Sequence, residues 1–152
     1  MRRARPRVPS GVGSQVFIIH GHDVENVRRL QGLLDQMGLD CVILAEMPGR
    51  GRVMIEKFEQ EAQRAAFAFA LMTRDDEVVL EDDRLRQARP NVLIEVGWFL
   101  ARGRERVCLL AQAGTYIPSD IEGIHRIEFD TYIDEKTPEI ERELKGADLL
   151  AG

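Results

Sequence analysis

Val16-Phe17-Ile18-Ile19-His20-Gly21-His22-Asp23 decides the fold. Four apolar residues in succession, three of them β-branched, form the pattern of a strand covered on both faces; a strand with one wet face would alternate. The turn that follows is polar, and Asp23 offers an oxygen to cap a helix. Val27, Leu30, Leu34 and Met37 then recur on one face at helical spacing, and Gly38 supplies the stop. A buried strand running directly into a capped amphipathic helix is the first half of a βαβ unit.

The rest of the chain repeats this alternation. Cys41 to Leu44 reads as a second strand, and Ile55, Phe58 and Ala62 point inward from a second helix. Phe67 to Met72 is the most apolar run and is expected at the centre of the sheet. Thr73 to Arg89 is strongly polar, with Asp75-Asp76-Glu77 and Glu81-Asp82-Asp83 flanking Val78-Val79-Leu80, and reads as a long lid or binding loop. Pro90 and Asn91 open a helix reaching Ala101, with Asn91 as a capping residue. Strands follow at Val107 to Ala111 and Ile124 to Phe129, separated by a loop through Pro118-Ser119-Asp120, and Pro138 opens a closing helix. The pattern predicts an α/β flavodoxin-like three-layer sandwich with a five-stranded parallel sheet in the order 2-1-3-4-5. It is expected to occupy residues 15–150 as a single domain, behind an Arg-, Pro- and Gly-rich mobile tail at residues 1–14.

Composition removes several function classes. A net charge of -5 over 152 residues does not suit a duplex nucleic-acid binder, which needs a basic face to displace counterions. No apolar stretch approaches the roughly 20 residues of a membrane span. The arginines near the N-terminus are followed by no apolar run of a secretion signal, so a cytoplasmic protein is expected. Cys41 and Cys108 each sit in a short apolar run with no partner at metal-site spacing, and read as small buried thiols.

In such sheets ligands bind beyond the carboxyl ends of the strands, at the switch point between strands one and three. The expected crevice is lined by His20, Gly21, His22 and Asp23 with Thr73 to Asp76, and bordered by the loop Gly49-Arg50-Gly51-Arg52 and the start of the helix carrying Glu95. From Val92 to Ala101 every residue but Glu95 is apolar or glycine, which predicts a helix buried on most sides. A carboxylate there has two readings. It forms one wall of a ligand pocket with Asn91 and an aromatic ring, or it is a structural Glu tied to an arginine. The Gly49 to Arg52 loop before a helix suits either an anion or a solvated turn, and it is neither a Walker A loop nor a dinucleotide fingerprint. His20 and His22 fall short of a metal-ligand set, so no metal is expected; their imidazoles suit hydrogen bonds to a ligand, with Gly21 admitting it to the backbone. Asp75 is kept as a candidate for its place behind the central strand. Trp98, one turn past Glu95, stacks on a base or packs the core.

Four ordered motifs carry a resemblance. They are the Val16 to Asp23 run, Pro48 to Phe58 through Gly49-Arg50-Gly51-Arg52, Arg89 to Phe99 through Asn91 and Glu95, and Ile117-Pro118-Ser119-Asp120-Ile121-Glu122-Gly123. Together they resemble the bacterial TIR-like predicted nucleotide-binding family, including the TIR domains fused to bacterial STING proteins. The resemblance implies a flavodoxin-like TIR fold and cleavage of the nicotinamide–ribose bond of NAD+, with Glu95 catalytic. NAD+ is then the substrate and no cofactor is needed. It further implies that the His20 to Asp23 turn and the Gly49 to Arg52 loop contact ribose or pyrophosphate, that copies self-associate, and that a sensor module is a partner. The expectation is thus a self-assembling NAD glycohydrolase of prokaryotic defence. The alternatives are a TIR-like module that binds a nucleotide or another TIR domain without chemistry, and a nucleoside deoxyribosyltransferase-like enzyme with Glu95 as nucleophile.

Overall fold

A computed structural model describes residues 15–44 and 54–151. Five parallel strands, β1 (Gln15–Ile19), β2 (Cys41–Val42), β3 (Ala65–Met72), β6 (Val107–Gln112) and β7 (Arg126–Phe129), form one sheet in the spatial order β2-β1-β3-β6-β7. Counting only these strands, that is the expected 2-1-3-4-5. The intervening strands β4 (Asp76–Leu80) and β5 (Asp83–Gln87) form a separate antiparallel hairpin. The segment Thr73 to Arg89, expected as an irregular lid, is therefore ordered. Its turn holds Glu81 at φ 57°, and every Asp76-to-Leu80 residue pairs with one of Asp83 to Gln87.

Alternation along the strands divides the core into two layers. Val16 and Ile18 of β1, with Phe67, Phe69 and Leu71 of β3, face α1 (Val24–Gln36) and α4 (Thr137–Gly146). Phe17 and Ile19, with Ala68, Ala70 and Met72, face α2 (Met54–Ala62) and α3 (Pro90–Leu100). The small alanines on this second face leave room for Phe17, Phe58 and Phe99, whose rings meet at centroid distances of 5.3 Å (Phe17 to Phe58) and 5.5 Å (Phe17 to Phe99). Burying each such ring contributes roughly 1.5–3 kcal/mol. Gln15 pairs with Ala65 but Val16 with Phe67, so Ala66 is an extra residue bulged out of β3.

The helices begin largely where their capping residues stand. Asp23 caps α1, its side chain accepting from the Asn26 N–H, and Gly38 takes φ +78° just past its end. In α3, Arg89 rather than Asn91 is the capping residue, and Pro90 occupies the first turn. Nor is α3 wrapped on most sides. Val92, Val96 and Phe99 are buried, while Asn91, Ile94 and Gly97 form an outward stripe, with Ile94 60% exposed. The apolar composition hid this stripe, because beyond Asn91 at the helix start nothing polar marks the outer face. Ile55 of α2, expected inward with Phe58 and Ala62, is likewise 54% exposed. Strand β2 stops at Val42 and β7 starts at Arg126, both shorter than their apolar runs. No helix among the described residues is long and apolar enough to cross a membrane.

Candidate active site

The carboxyl ends of β1 and β2 meet α2 and α3 around a cavity of 320 Å³ that is open to solvent along the exposed Ile55, Asn91 and Ile94. Its wall is mostly apolar: Phe17, Ile18, Leu44, Ile55, Phe58 and Ile94. Among the described residues three polar side chains line it, His20 from the turn after β1 and Asn91 and Glu95 from α3. Asn91 and Glu95 are four residues apart, which puts both on one face of the helix.

Glu95 has no salt-bridge partner and no side-chain hydrogen bond among the described residues, so the reading of a structural Glu tied to an arginine finds no support there. Burial against apolar side chains pushes its carboxyl up to about 7 from an ordinary 4.5. Such a group is half ionised near neutrality and faces a space large enough for a ring. His20 lies with Nδ1 2.9 Å from the Gly21 carbonyl oxygen. A neutral imidazole donating from Nδ1 leaves Nε2 as an acceptor.

The other expected contacts are distributed differently. Asp75 does not line the cavity: Oδ1 accepts from the His22 backbone N–H (3.3 Å) and the Thr73 hydroxyl (2.8 Å). Its Oδ2 is buried without a partner under Gly21, where a Cβ would stand 2.1 Å from that oxygen. Gly21 thus permits the turn to rest on the carboxylate, and Asp75 supports the turn from below. His22 is exposed, away from the cavity wall. Asp23 spends both oxygens on Asn26, accepting from its backbone N–H (3.0 Å) and its side-chain amide (2.7 Å). Trp98 packs edge-on against Phe58 and lies under the Arg102 guanidinium, 3.4 Å from its ring centroid. It is outside the cavity lining, so it packs rather than stacks on a base there. The cavity therefore opens between β1, β2 and α3, whereas the expected crevice ran between β1 and Thr73 to Asp76, where the Asp75 bonds link the two segments. Gly49, Arg50, Gly51 and Arg52 lie outside the described residues, as does the 1–14 tail.

With this geometry in place, comparison with known proteins is informative. Residues 15–131 match the family described as CAP12/Pycsar effector protein, TIR domain. The chain belongs to this bacterial TIR effector family. It is 40% identical over 131 residues to the uncharacterized protein YuaY of Escherichia coli strain K12, covering 84% of this chain and 44% of that protein. It is 33% identical over 78 residues to the Pycsar effector protein PaPycTIR of Pseudomonas aeruginosa, covering 49% of this chain and 25% of that protein. The chain thus spans less than half the length of either relative. Among solved structures, a Clostridium botulinum CMP N-glycosidase, BcmB, superposes with a TM-score of 0.64 at 15% identity, over 84% of this chain and 98% of that one. At that identity the likeness establishes a shared fold.

In this TIR domain the structure brings together His20, Asn91 and Glu95, and adds Phe17, Leu44, Ile55, Phe58 and Ile94, which the sequence reading had placed in the core or left unassigned. Ile55 and Ile94 carried a usable signal: each is a large apolar helix residue three positions from another lining residue, Phe58 and Asn91 respectively. The Ile117 to Gly123 motif lies elsewhere. Ile117 and Ile124 are buried in the α3 layer, and Asp120 and Gly123 border a small hollow with Leu100 and Arg104.

Proposed function

We propose that this TIR domain is an NAD glycohydrolase, cleaving the nicotinamide–ribose bond of NAD+ with Glu95 as its catalytic carboxylate. The observation that supports this most is a largely buried carboxyl, unpaired among the described residues, at the wall of an apolar cavity. An oxocarbenium-like ribose develops positive charge at C1′, and a carboxylate held in a water-poor pocket stabilises it far more than one in bulk water. The C1′–N bond breaks with its electron pair going to the pyridinium nitrogen, so nicotinamide leaves neutral and needs no acid. Water then forms the C1′–O bond and gives up a proton, leaving ADP-ribose, nicotinamide and H+. A single carboxyl titrating near 7 fits both tasks, stabilising the cation and receiving the water's proton.

A cavity of 320 Å³ is at the small end of ligand pockets, suiting a ring and its ribose rather than a whole dinucleotide. Phe17 and Phe58 offer that ring apolar contact, while Asn91 and His20 are placed for the ribose hydroxyls. The exposed Ile55 and Ile94 at the cavity wall are apolar surface that a second copy would cover, consistent with activity in assemblies. In this reading the domain is the effector of a bacterial defence system, acting in the cytoplasm and joined to a sensor.

The test is chromatographic detection of nicotinamide released from NAD+, at low and high protein concentration, by wild type and Glu95→Gln. Wild type is expected to release nicotinamide with specific activity rising with concentration, and Glu95→Gln to lose at least about a hundredfold, the scale on which removing one such electrostatic group acts. Silence of both proteins even at high concentration would overturn the hydrolase and leave a binding module. Base exchange between nucleosides in place of NAD+ loss would identify a transferase.

A further inference from the structure

At the opposite end of the sheet, and on its other face, three metal-type donors converge. Cys108 is the second residue of β6, His125 immediately precedes β7, and Glu143 lies on α4. One ligand atom from each, the thiol sulfur, an imidazole nitrogen and a carboxylate oxygen, all fall within 4.8 Å of one another. His125 Nδ1 is already in contact with Glu143 Oε1. All strands of the sheet are parallel, so the start of β6 and β7 is the end remote from the Glu95 cavity. Cys108 belongs to the core layer under α1 and α4, whereas Phe17 and Phe58 of the cavity belong to the layer under α2 and α3.

We propose that Cys108, His125 and Glu143 form a binding site for a borderline-soft divalent cation of the zinc class. Thiolate and imidazole favour zinc over magnesium or calcium, which take oxygen ligands. Metal–ligand bonds of about 2.0–2.3 Å in a tetrahedron set the donors roughly 3.3–3.8 Å apart. The donors already lie within 4.8 Å of one another, and His125, with a side chain 66% exposed, has room to adjust toward that spacing. The same exposure leaves the fourth position to water. Binding forms the metal–sulfur bond, breaks the S–H bond of Cys108 and releases that proton to solvent, giving a site with two anionic ligands and one neutral one.

Sequence spacing concealed this cluster because its members are 17 and 18 residues apart on three elements. The β6–β7 pairing, in which the Leu109 N–H donates to the His125 carbonyl at 2.9 Å, sets Cys108 beside His125, and α4 brings Glu143 against His125.

The experiment uses the full chain, stripped with a chelator and titrated with Co2+ alone, then with Zn2+ as competitor. Expected are a near-ultraviolet thiolate-to-cobalt charge-transfer band, visible bands of tetrahedral intensity, saturation at one ion per chain and their loss on adding Zn2+. His125→Ala, a change at an exposed side chain, is expected to weaken cobalt binding by about tenfold or more. Cys108→Ala is expected to remove the charge-transfer band. Absence of the band, a band unchanged by His125→Ala, or one that survives Cys108→Ala and so belongs to Cys41, would each overturn the site.

Discussion

Glu95 carries its cost in the fold as well as its use in chemistry. Its carboxyl, held at about 7 in the native protein against an ordinary 4.5, keeps a proton that the unfolded chain has already released between those values. Unfolding in that window releases a proton, so raising the pH favours the unfolded state, and stability falls from about pH 4.5 to about 7 before levelling. The full span of the shift corresponds to on the order of 3 kcal/mol. Glu95→Gln keeps the shape and removes the ionisation. Thermal melts are therefore expected to coincide for wild type and Glu95→Gln near pH 4 and to separate by pH 8, with the variant the more stable. Parallel melting curves at both pH values would show that the carboxyl is not desolvated as described. The same ionisation is expected in the proposed reaction as an ascending limb near pH 7 in kcat/KM, which reports the free enzyme.

Elements show where sequence patterns are informative and where they fail. The Val16 to Ile19 strand, the Asp23 cap and the Gly38 stop were legible because burial, capping and positive φ each demand particular residue types. The β4–β5 hairpin was not, because its strands are Asp-Glu-Val-Val-Leu and Asp-Arg-Leu-Arg-Gln, mostly charged or exposed, and its Glu81-Asp82 turn lacks the glycine that usually marks one. In the candidate site, Glu95 stood out as the one charged residue of its helix, whereas the direction of Asp75, set by a hydrogen bond to a turn 53 residues away, leaves no local trace. Asn26 is a similar case. It is buried in α1, donates to the Thr131 carbonyl (3.0 Å), and accepts from the buried Ile133 N–H (3.0 Å), tying the start of α1 to the connection between β7 and α4. Asn26→Ala strands both backbone groups and is expected to cost about 2–3 kcal/mol in urea denaturation. Nicotinamide release by the folded fraction should persist, because Asn26 is outside the cavity lining. A loss below about 0.5 kcal/mol, the scale of an ordinary surface change, would show that water replaces its bonds.

At the scale of the molecule, the sheet presents two separate ends, and what binds at one is measurable through the whole. The cavity draws its lining from β1, the segment after β2, α2 and α3, so a ligand there bridges elements that must separate on unfolding. A ligand that binds only the native state stabilises it by RT ln(1 + [L]/Kd), about 2.7 kcal/mol at a hundredfold excess over Kd. For a domain of this length each kcal/mol moves the melting temperature by roughly 2–4 °C, giving a rise of about 5–11 °C. Glu95→Gln is the protein to use, since in the proposed reaction it is expected to hold NAD+ without consuming it, and it leaves His20, Asn91 and the aromatic wall in place. NAD+ is expected to raise its melting temperature in this range. CMP, the substrate named for the distant fold relative, serves as the comparison and is expected to raise it less. Stabilisation by CMP with none by NAD+ would reassign the cavity to a nucleoside monophosphate, and no shift with either would place nucleotide binding outside it.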